Sequence, residues 1–406
     1  MPATLVLHDR PTSRFAMNAL LGAVECDPRT RDLPAAVARS AEAVAAAARD
    51  ALAAGRRPLV GWSFYSASFA QVAAELARVR AAAPDARVVH LAGGAHASAA
   101  PEETLRAGFD LVAVGEGEET LPAVLGAVDA GGDARGVPGL AWLEDGALRT
   151  SGRARPVELD RFPPCAPRGG RFGPIEITRG CVWGCRFCQT PFRFKARFRH
   201  RSLEEIVRWV RAGSEAGKDV RFVTPSGLSW GSAGAGCDLA AVEALLARVR
   251  EAAGPRRKVI LGAFPSELRP EHVTARALAV LRRWCDNRQV ILGGQSGSDR
   301  MLAAMGRGHD AATVTRAAAL ALEAGFRPSV DFVFGLPGEE EEDREATRTQ
   351  LALLARMGAR VHVHAFDPLP GTPWAREPRG GIDPRTAALL SRLGESGRAY
   401  GEMSHV

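Results

Sequence analysis

The fold of this chain is decided by one stretch of sequence, Arg179-Gly-Cys-Val-Trp-Gly-Cys-Arg-Phe-Cys188. It places Cys181, Cys185 and Cys188 in the pattern C-x-x-x-C-x-x-C. Three closely spaced thiolates are soft ligands that suit the irons of an iron–sulfur cluster. In a cube of four irons, three protein ligands leave one iron open to a substrate. The spacing therefore predicts a [4Fe–4S] cluster that is itself a reactant.

Other uses of these cysteines fit the sequence less well. A structural zinc site normally has four ligands, often in two paired motifs, and no second pair follows at that spacing. The chain has seven cysteines, and an odd number does not suit a disulfide framework. A purely apolar role is a poor use of three thiols so close together in a glycine-containing loop.

The cysteine spacing, with the aromatic Phe187 just before the last cysteine, resembles the radical S-adenosylmethionine (SAM) superfamily. In that family the open iron is held by the amino and carboxylate groups of SAM. The resemblance implies that Cys181, Cys185 and Cys188 are both the metal ligands and the catalytic centre, with Phe187 beside SAM. It implies two cofactors, the [4Fe–4S] cluster and SAM, and an external electron donor such as flavodoxin or ferredoxin.

The composition indicates an ordinary soluble protein. The chain has 406 residues, 46% hydrophobic and 24% charged, which is enough for two domains. Its net charge of +7 is scattered, so nucleic-acid binding is not expected. No apolar run approaches the roughly 20 residues that span a bilayer, and the N-terminus lacks a signal-peptide pattern. We therefore expect a cytoplasmic protein without membrane contact.

Residues 1–159 are expected to form a Rossmann-like domain. Strands are predicted by short apolar runs at Thr4–Leu7, Pro58–Trp62, Arg87–Ala92 and Asp110–Val114. Helices are predicted by alanine-rich periodic stretches at Pro34–Ala53 and Ala67–Ala82. Strands that alternate with helices predict a parallel sheet. A hairpin is predicted at Leu140–Leu148, which a Glu-Asp-Gly turn interrupts.

A second α/β array follows residues 160–173, which are rich in proline and glycine and predict a linker. Its predicted strands are Ile175–Thr178, Val220–Thr224, Lys258–Leu261, Gln289–Gly293, Ser329–Phe334 and Arg360–Phe366. Six strand–helix steps in residues 174–373 predict a partial (β/α)6 barrel of the radical-SAM type, and 374–406 predict a C-terminal helical extension. The active sites of such folds lie at the carboxyl ends of the strands.

Several strand-end loops resemble the SAM-binding segments of the radical-SAM family. They are Thr224-Pro-Ser-Gly227, Gly293-Gly-Gln-Ser-Gly-Ser298 with the following Met-Gly-Arg, and the Gly-Leu-Pro turn after the fifth strand. The resemblance implies SAM contacts from Thr224, Ser226, Gln295, Ser296, Ser298, Arg307, Gly335 and Leu336. Arg307 would pair with the SAM carboxylate. Each loop is also compatible with an ordinary turn or helix cap.

Polar side chains near the same strand ends are candidates for substrate binding. Glu267 and Arg269 suit an amino-acid zwitterion, or each other, or the start of a helix. His362 and His364 lie on one face of the sixth strand, where they suit acid–base chemistry, metal binding or a polar barrel interior. The remaining candidates are His309 and Asp331.

The N-terminal domain resembles cobalamin-binding domains, whose nucleotide tail lies in a groove at the strand ends. The positions that match are Ser63, Ser66, Gly93, Gly94, Gly115 and Glu116. The first loop, His8-Asp-Arg-Pro-Thr-Ser-Arg14, lacks the Asp-x-His-x-x-Gly motif that supplies the lower cobalt ligand. Cobalamin binding without a protein ligand and loss of cobalamin both remain open.

The combined resemblance is to B12-binding-domain/radical-SAM proteins, and it implies a transferase. One hypothesis is reductive SAM cleavage followed by methyl transfer through cobalamin to an unactivated carbon of a small molecule. A second is cobalamin-independent transfer of the 3-amino-3-carboxypropyl group of SAM to an acceptor such as arsenite, as in arsinothricin-type biosynthesis. A third, from another class, is a redox or cofactor sensor without turnover.

Overall fold

A computed structural model describes residues 1–402 of the chain. The chain divides into two compact units, Met1–Gly173 and the segment from Pro174 onward. Within residues 1–402, none of the helices combines the length and the hydrophobicity that a transmembrane span requires.

The first unit contains a seven-stranded sheet in the order β2-β1-β3-β4-β5-β6-β7. Its strands are β1 Ala3–His8, β2 Ala35–Ala38, β3 Arg57–Ser63, β4 Val89–Gly93, β5 Leu111–Ala113, β6 Leu140–Glu144 and β7 Ala147–Thr150. Its helices are α1 Arg14–Cys26, α2 Ala41–Ala53, α3 Phe69–Ala82, α4 Gly94–Ala99, α5 Pro101–Arg106 and α6 Gly117–Asp129. The strands β1 to β5 are parallel, and β6 and β7 form the predicted antiparallel hairpin.

Apolar side chains cover both faces of this sheet. Along β1, Val6 belongs to one buried core, whereas Leu5 and Leu7 belong to the other. Successive side chains of a strand point to opposite faces, so each central strand supplies both cores. This double burial explains why the strands are nearly continuous apolar runs.

The edge strand β2 differs from the helix predicted for Pro34–Ala53. The chain pairs first with β1 in parallel, and α2 begins only at Ala41. Ser40 marks the change, since its side chain accepts a hydrogen bond from the backbone nitrogen of Ala43 and caps the helix. The helix propensity of alanine is weak enough that backbone pairing with a neighbouring strand overrides it.

Residues 160–173, predicted to be a linker, pack into the first unit. Arg171 donates from Nε to Asn18 Oδ1 at 2.9 Å and from Nη2 to Asp9 Oδ2 at 2.8 Å. Ala166 is fully buried in one of the two cores. The prolines and glycines of this segment therefore shape turns that lie against α1 and β1, and they do not form a free connection.

The second unit contains two parallel sheets, which backbone hydrogen bonds connect, and a short pair of antiparallel strands. Its strands are β8 Ile175–Glu176, β9 Thr178–Arg179, β10 Arg199–His200, β11 Val220–Val223, β12 Val259–Ile260, β13 Gln289–Gln295, β14 Arg327–Phe334, β15 Arg360–Ala365 and β16 Ala399–Gly401. Its helices are α7 Gln189–Arg193, α8 Leu203–Glu215, α9 Leu239–Ala253, α10 Ala275–Trp284, α11 Asp299–Met305, α12 Ala311–Glu323, α13 Glu341–Met357 and α14 Pro384–Glu395.

Six of these strands follow one another in space in chain order, as in a partial barrel. One sheet has the order β12-β11-β8 and the other β13-β14-β15-β16. Backbone hydrogen bonds join the two, from Ile291 N to Gly262 O and from Leu268 N to Ile291 O, both at 2.8 Å. The predicted (β/α)6 order is present, and the helices between the strands cover its outer side.

The segment 374–406 contains a strand as well as the predicted helix. After α14, β16 pairs in parallel with β15, and Tyr400 lies opposite His362. Arg398 supports the junction by donating from Nη1 to the Gly358 carbonyl at 2.7 Å. A strand of three residues is too short to show a periodic pattern, which is why the sequence did not indicate it. Residues 403–406 of the predicted extension lie outside the described residues.

We predict that Gly22→Ala destabilises the protein, because α1 packs directly on the backbone of the 160–173 segment. A Cβ on Gly22 would collide with the Cys165 carbonyl oxygen and lie 2.9 Å from Pro163 Cγ. Overpacking of this kind costs about 1–3 kcal/mol, which exceeds the 0.5–1 kcal/mol that alanine typically gains over glycine in a helix.

The matched control is Gly126→Ala in α6, where the nearest atom to a new Cβ is Arg29 Cβ at 3.9 Å. Urea unfolding should show a lower free energy of unfolding for Gly22→Ala and an equal or higher one for Gly126→Ala. Equal stability of the Gly22 variant and the wild type would show that α1 does not depend on this contact.

Candidate functional site

The cysteine loop begins directly after β9. Gly180 turns the chain with φ of 85°, and a Cβ at this position would collide with the Arg197 carbonyl oxygen. Glycine is therefore required where the loop leaves the β9–β10 pair. Cys181 and Cys185 are buried, and Cys188 is half-buried.

Burial favours the neutral thiol form of Cys181 and Cys188. Burial raises the pKa of Cys181 to about 11, and the neighbouring thiols of Cys185 and Cys188 add to the rise. Burial also raises the pKa of Cys188. The three cysteines lie within eight consecutive residues of one loop. A metal binds thiolates and releases their protons, so the site suits a cationic centre shared by all three.

Arg307 joins the cysteine loop to the end of β13. Its Nη1 donates to Cys185 Sγ at 3.6 Å and its Nη2 to the Gly293 carbonyl at 2.6 Å. The residue is 5% exposed, and its Nε has no hydrogen-bond partner among the described residues. Gly306, which ends α11 with φ of 75°, brings Arg307 into this position. A buried guanidinium with a donor still free suits an anionic ligand.

Arg269 contacts the backbone of Arg307, and its partners differ from those that the sequence predicted. Its guanidinium carbon lies 3.8 Å from the centre of the Trp183 ring. Its Nη2 donates to the Arg307 carbonyl, and its Nε donates to Glu271 Oε1 at 2.5 Å. Arg269 is thus held by Glu271 and a backbone oxygen, where the sequence had suggested Glu267 or a bound zwitterion.

Glu271 is a site residue that the sequence analysis missed. It accepts from Arg269 and also lies 2.9 Å from His309 Nδ1. Burial alone raises the pKa of Glu271, but the hydrogen bond from His309 and the charge of Arg269 outweigh it and lower the pKa to about 2. His309 Nε2 is buried without a hydrogen-bond partner in the described part of the chain. The only signal was the position of Glu271 two residues after Arg269.

Glu267, Asp331, His362 and His364 form a polar group on the inner face of the barrel. A Cβ on Gly294 would contact the side chains of Val330 in β14 and Val314 in α12. Val330 therefore faces α12, and Asp331, the next residue of the strand, lies on the opposite face. Burial, followed by the charge and the hydrogen bond of Asp331, raises the pKa of Glu267 to about 7. His362 and His364 are half-buried on the same face. Four of the predicted substrate residues are therefore brought together.

The loop after β11 uses its hydroxyl groups internally. Thr224 Oγ1 donates to the Ser226 carbonyl at 2.9 Å, and Ser229 Oγ donates to Ser226 Oγ at 2.8 Å. Both Thr224 and Ser226 are buried. A ligand at this loop would therefore meet its backbone more than its hydroxyl groups.

The loop after β13 is tied to the start of α13. Ser298 Oγ donates to Asp343 Oδ1 at 2.6 Å, and Ser296 Oγ lies 3.4 Å from Thr347 Oγ1. Gln295 adopts φ of 75°, a left-handed conformation that is uncommon for a residue with a side chain. Such strained backbone recurs at ligand sites, and it turns the loop at the point where β13 ends.

The part of the predicted SAM site around Phe187 and Leu336 is apolar. Leu336 is buried in a core that Phe187 packs against. The other members of this core are Met301, Leu302, Met305, Val333, Phe366 and Trp374. Gly335 has φ of 68°, and a Cβ on it would collide with the backbone of Gly381. Phe187 and Leu336 thus belong to one apolar cluster, and Phe187 is part of the cysteine loop.

In the first unit, the predicted tail-binding residues lie at the carboxyl edge of the sheet. Ser63 and Gly93 are the last residues of β3 and β4. A Cβ on Gly94 would lie 2.8 Å from Ser63 Oγ, whereas one on Gly115 would have no atom within 4 Å. Glu116 precedes α6 and accepts from the Val157 backbone nitrogen at 3.0 Å. Gly94 is required by local packing, and Gly115 borders open space.

The two histidines near this edge are enclosed by other side chains. His8 Nε2 lies 3.4 Å from Glu75 Oε2. His96 Nδ1 lies 3.1 Å from Ser66 Oγ, and its ring stacks on Phe69 with 4.1 Å between centroids. Burial lowers the pKa of both imidazoles. Both side chains are at most 4% exposed, so neither presents a nitrogen to a large ligand.

Family comparisons match each unit separately. Residues 14–125 match the B12 binding domain, and residues 175–351 match the radical SAM superfamily. An uncharacterised protein of Methanopyrus kandleri is 27% identical over 76% of this chain and 66% of its own length. A tRNA-2-methylthio-N(6)-dimethylallyladenosine synthase of Geobacter sulfurreducens is 30% identical over 47% of this chain and 42% of its own. The chain thus spans less than two thirds of either relative.

A solved structure supports the same order of domains. The radical SAM methyltransferase TsrM of Kitasatospora setae, with tryptophan and a SAM analogue bound, superposes with a TM-score of 0.70. The match covers 92% of this chain and 76% of that one at 19% identity, which establishes the fold. The predicted Rossmann-like domain followed by a radical-SAM barrel is confirmed. The chain therefore combines a B12-binding domain with a radical SAM domain, as the resemblance in its sequence predicted.

Proposed function

We propose that this chain is a radical SAM transferase that moves a methyl group from SAM to a small molecule with the help of cobalamin. One observation carries the proposal: a B12-binding domain and a radical SAM domain with a three-cysteine loop occur in the same chain. The B12-binding match favours this function over the cobalamin-independent transfer of a 3-amino-3-carboxypropyl group.

The residues around the cysteine loop fit a [4Fe–4S] cluster with SAM on its open iron. Cys181, Cys185 and Cys188 supply three soft ligands, and no fourth cysteine belongs to the loop. The Arg307 guanidinium, next to Cys185, has the unpartnered Nε that would bind the SAM carboxylate. The apolar surface of Phe187 and Leu336 would receive the adenine.

The carboxyl edge of the first sheet fits a cobalamin tail. Gly93 and Gly115 have no side chain, and a Cβ on either would meet nothing closer than 3.9 Å. Backbone atoms at such positions are open to close approach by a ligand. His8 and His96 are enclosed, so the fit is to cobalamin without a protein imidazole on cobalt.

When bound, the cluster supplies the electron that breaks a carbon–sulfur bond of SAM, and cobalamin supplies the metal centre that relays the methyl group. The chain's own contribution is to bind and orient. The three thiolates hold the cluster in a buried loop. Arg307 fixes the carboxylate end of SAM against β13, and its charge offsets the thiolates. The electron comes from an external donor such as flavodoxin or ferredoxin, and the substrate is a small molecule in the barrel.

The test of this function is product analysis after anaerobic incubation of the reconstituted protein with SAM, cobalamin and dithionite. Methyl donation should leave S-adenosylhomocysteine, and reductive cleavage should leave 5′-deoxyadenosine. Methylthioadenosine as the main product would instead indicate 3-amino-3-carboxypropyl transfer, and no product would favour the sensor. In the control variant with all three loop cysteines changed to alanine, iron content and product should both be lost.

We predict that Arg307→Ala weakens SAM binding to the cluster-loaded protein by about tenfold or more. A hydrogen bond to a charged group contributes about 1.5–3 kcal/mol, and 1.4 kcal/mol corresponds to tenfold in affinity. Equilibrium dialysis with labelled SAM measures the change.

The matched control is Arg316→Ala in α12, an exposed arginine whose Nη2 donates to Thr313 Oγ1 at 2.9 Å. It should bind SAM as the wild type does. Equal affinity of a folded, cluster-loaded Arg307→Ala protein would remove Arg307 from the SAM site.

We predict that bound cobalamin has no protein nitrogen on its lower face. Electron paramagnetic resonance of the cobalt(II) form detects such a ligand, because an axial nitrogen splits the signal. Any nitrogen splitting in the wild-type spectrum should come from the nucleotide base of cobalamin itself, and the spectrum should not change in His8→Gln or His96→Gln. Splitting that either substitution abolishes would contradict the enclosed positions of these two rings.

A further inference from the structure

Three potential metal ligands converge on the inner face of the barrel. His362 Nδ1 lies 3.1 Å from Asp331 Oδ1 and 3.1 Å from His364 Nε2. The three ligand atoms all lie within 4.8 Å of one another. Asp331 comes from β14 and the two histidines from β15, where Asp331 and His362 are register partners. Parallel pairing of two rigid strands therefore holds the group together.

Hydrogen bonding alone satisfies this arrangement poorly. The single Nδ1 atom of His362 faces both a carboxylate oxygen and the nitrogen of a second imidazole. If Nδ1 of His362 carries a proton, that single hydrogen must serve two acceptors. If it carries none, its lone pair faces the carboxylate of Asp331. A cation at the centre resolves the conflict, because it accepts a lone pair from all three atoms.

The surroundings hold the ligand atoms in place and leave them accessible. The ring of Tyr400 stacks on His362 with 4.5 Å between centroids and 11° between planes. Ser329 Oγ lies 2.9 Å from the Tyr400 hydroxyl and fixes that ring in turn. Glu267 adds a second carboxyl group close enough to Asp331 to be affected by its charge. Supporting contacts of this kind orient ligands in metal sites, and the three ligand residues are only half-buried.

We propose that Asp331, His362 and His364 bind one divalent transition-metal ion, separate from the iron–sulfur centre. Two imidazoles and a carboxylate suit zinc or iron(II). Zinc–nitrogen bonds of about 2.0–2.1 Å in a tetrahedron place neighbouring ligands roughly 3.3 Å apart, close to the two observed separations of 3.1 Å.

Three protein ligands leave a coordination position open, as catalytic zinc sites do. An oxygen or nitrogen donor of the substrate would occupy it, so the ion would hold and polarise a chelating small molecule inside the barrel. This part of the inference rests on the proposed function. The proposal that the site binds a metal ion does not rest on the proposed function, because metal binding is measured without turnover.

The test is calorimetric titration of zinc chloride into the full-length protein with its cysteine loop already loaded with the iron–sulfur cluster. One zinc ion per chain should bind at the site. His362→Gln and His364→Gln should each weaken it by about tenfold or more, since loss of a ligand exceeds the 10–100-fold effect of losing a supporting contact. The double variant should lack it.

The matched control is Arg327→Ala, at an exposed position at the start of β14, which removes neither a ligand nor a supporting contact and should retain the zinc ion. Zinc-edge X-ray absorption of the wild type provides a test that needs no variant and should show only nitrogen and oxygen ligands. A sulfur shell, the same stoichiometry in the double variant, or no zinc uptake by the wild type would each overturn the proposal.

Discussion

The buried charge of Arg307 is the constraint on which the candidate site depends. A guanidinium at 5% exposure must find partners for its donors, or its burial is costly. It finds them in Cys185 and in the Gly293 carbonyl. The same side chain therefore joins the cysteine loop, which follows β9, to the end of β13. The Arg269 guanidinium donates a hydrogen bond to the Arg307 carbonyl. The contacts of these two buried arginines therefore hold the cysteine loop against the barrel.

Two polar centres within the second unit follow from this arrangement, and they have different chemistry. The cysteine loop offers soft sulfur ligands in a buried place. The group of Asp331, His362 and His364 offers harder nitrogen and oxygen ligands on two adjacent strands. The carboxyl group of Glu267 is affected by the charges of both Asp331 and Arg307, so it lies within reach of both centres. A barrel with both centres can bind SAM and a second, chelating ligand through separate sets of atoms.

In the first unit, the carboxyl edge of the parallel sheet is open to a ligand. Two of the unit's histidines are enclosed by other side chains: His8 lies against Glu75, and His96 lies between Ser66 and Phe69. Small residues are left where β4 and β5 end, and Gly115 borders open space. The absence of the histidine loop motif, read from the sequence, thus agrees with an edge that offers surface and backbone without an imidazole.

The sequence by itself determined the features that depend on local spacing. The cysteine pattern, the alternation of apolar runs with helical stretches and the glycine-rich strand ends predicted the two domains and indicated the candidate site residues. The tertiary structure decided what depends on which strands are neighbours and in which register. It paired Arg269 with Glu271, brought Asp331 of β14 to His362 of β15, and added the edge strands β2 and β16. These contacts were not predictable because side-chain and backbone partners far apart in the chain meet only after the strands have packed, and short edge strands carry no periodic pattern of their own.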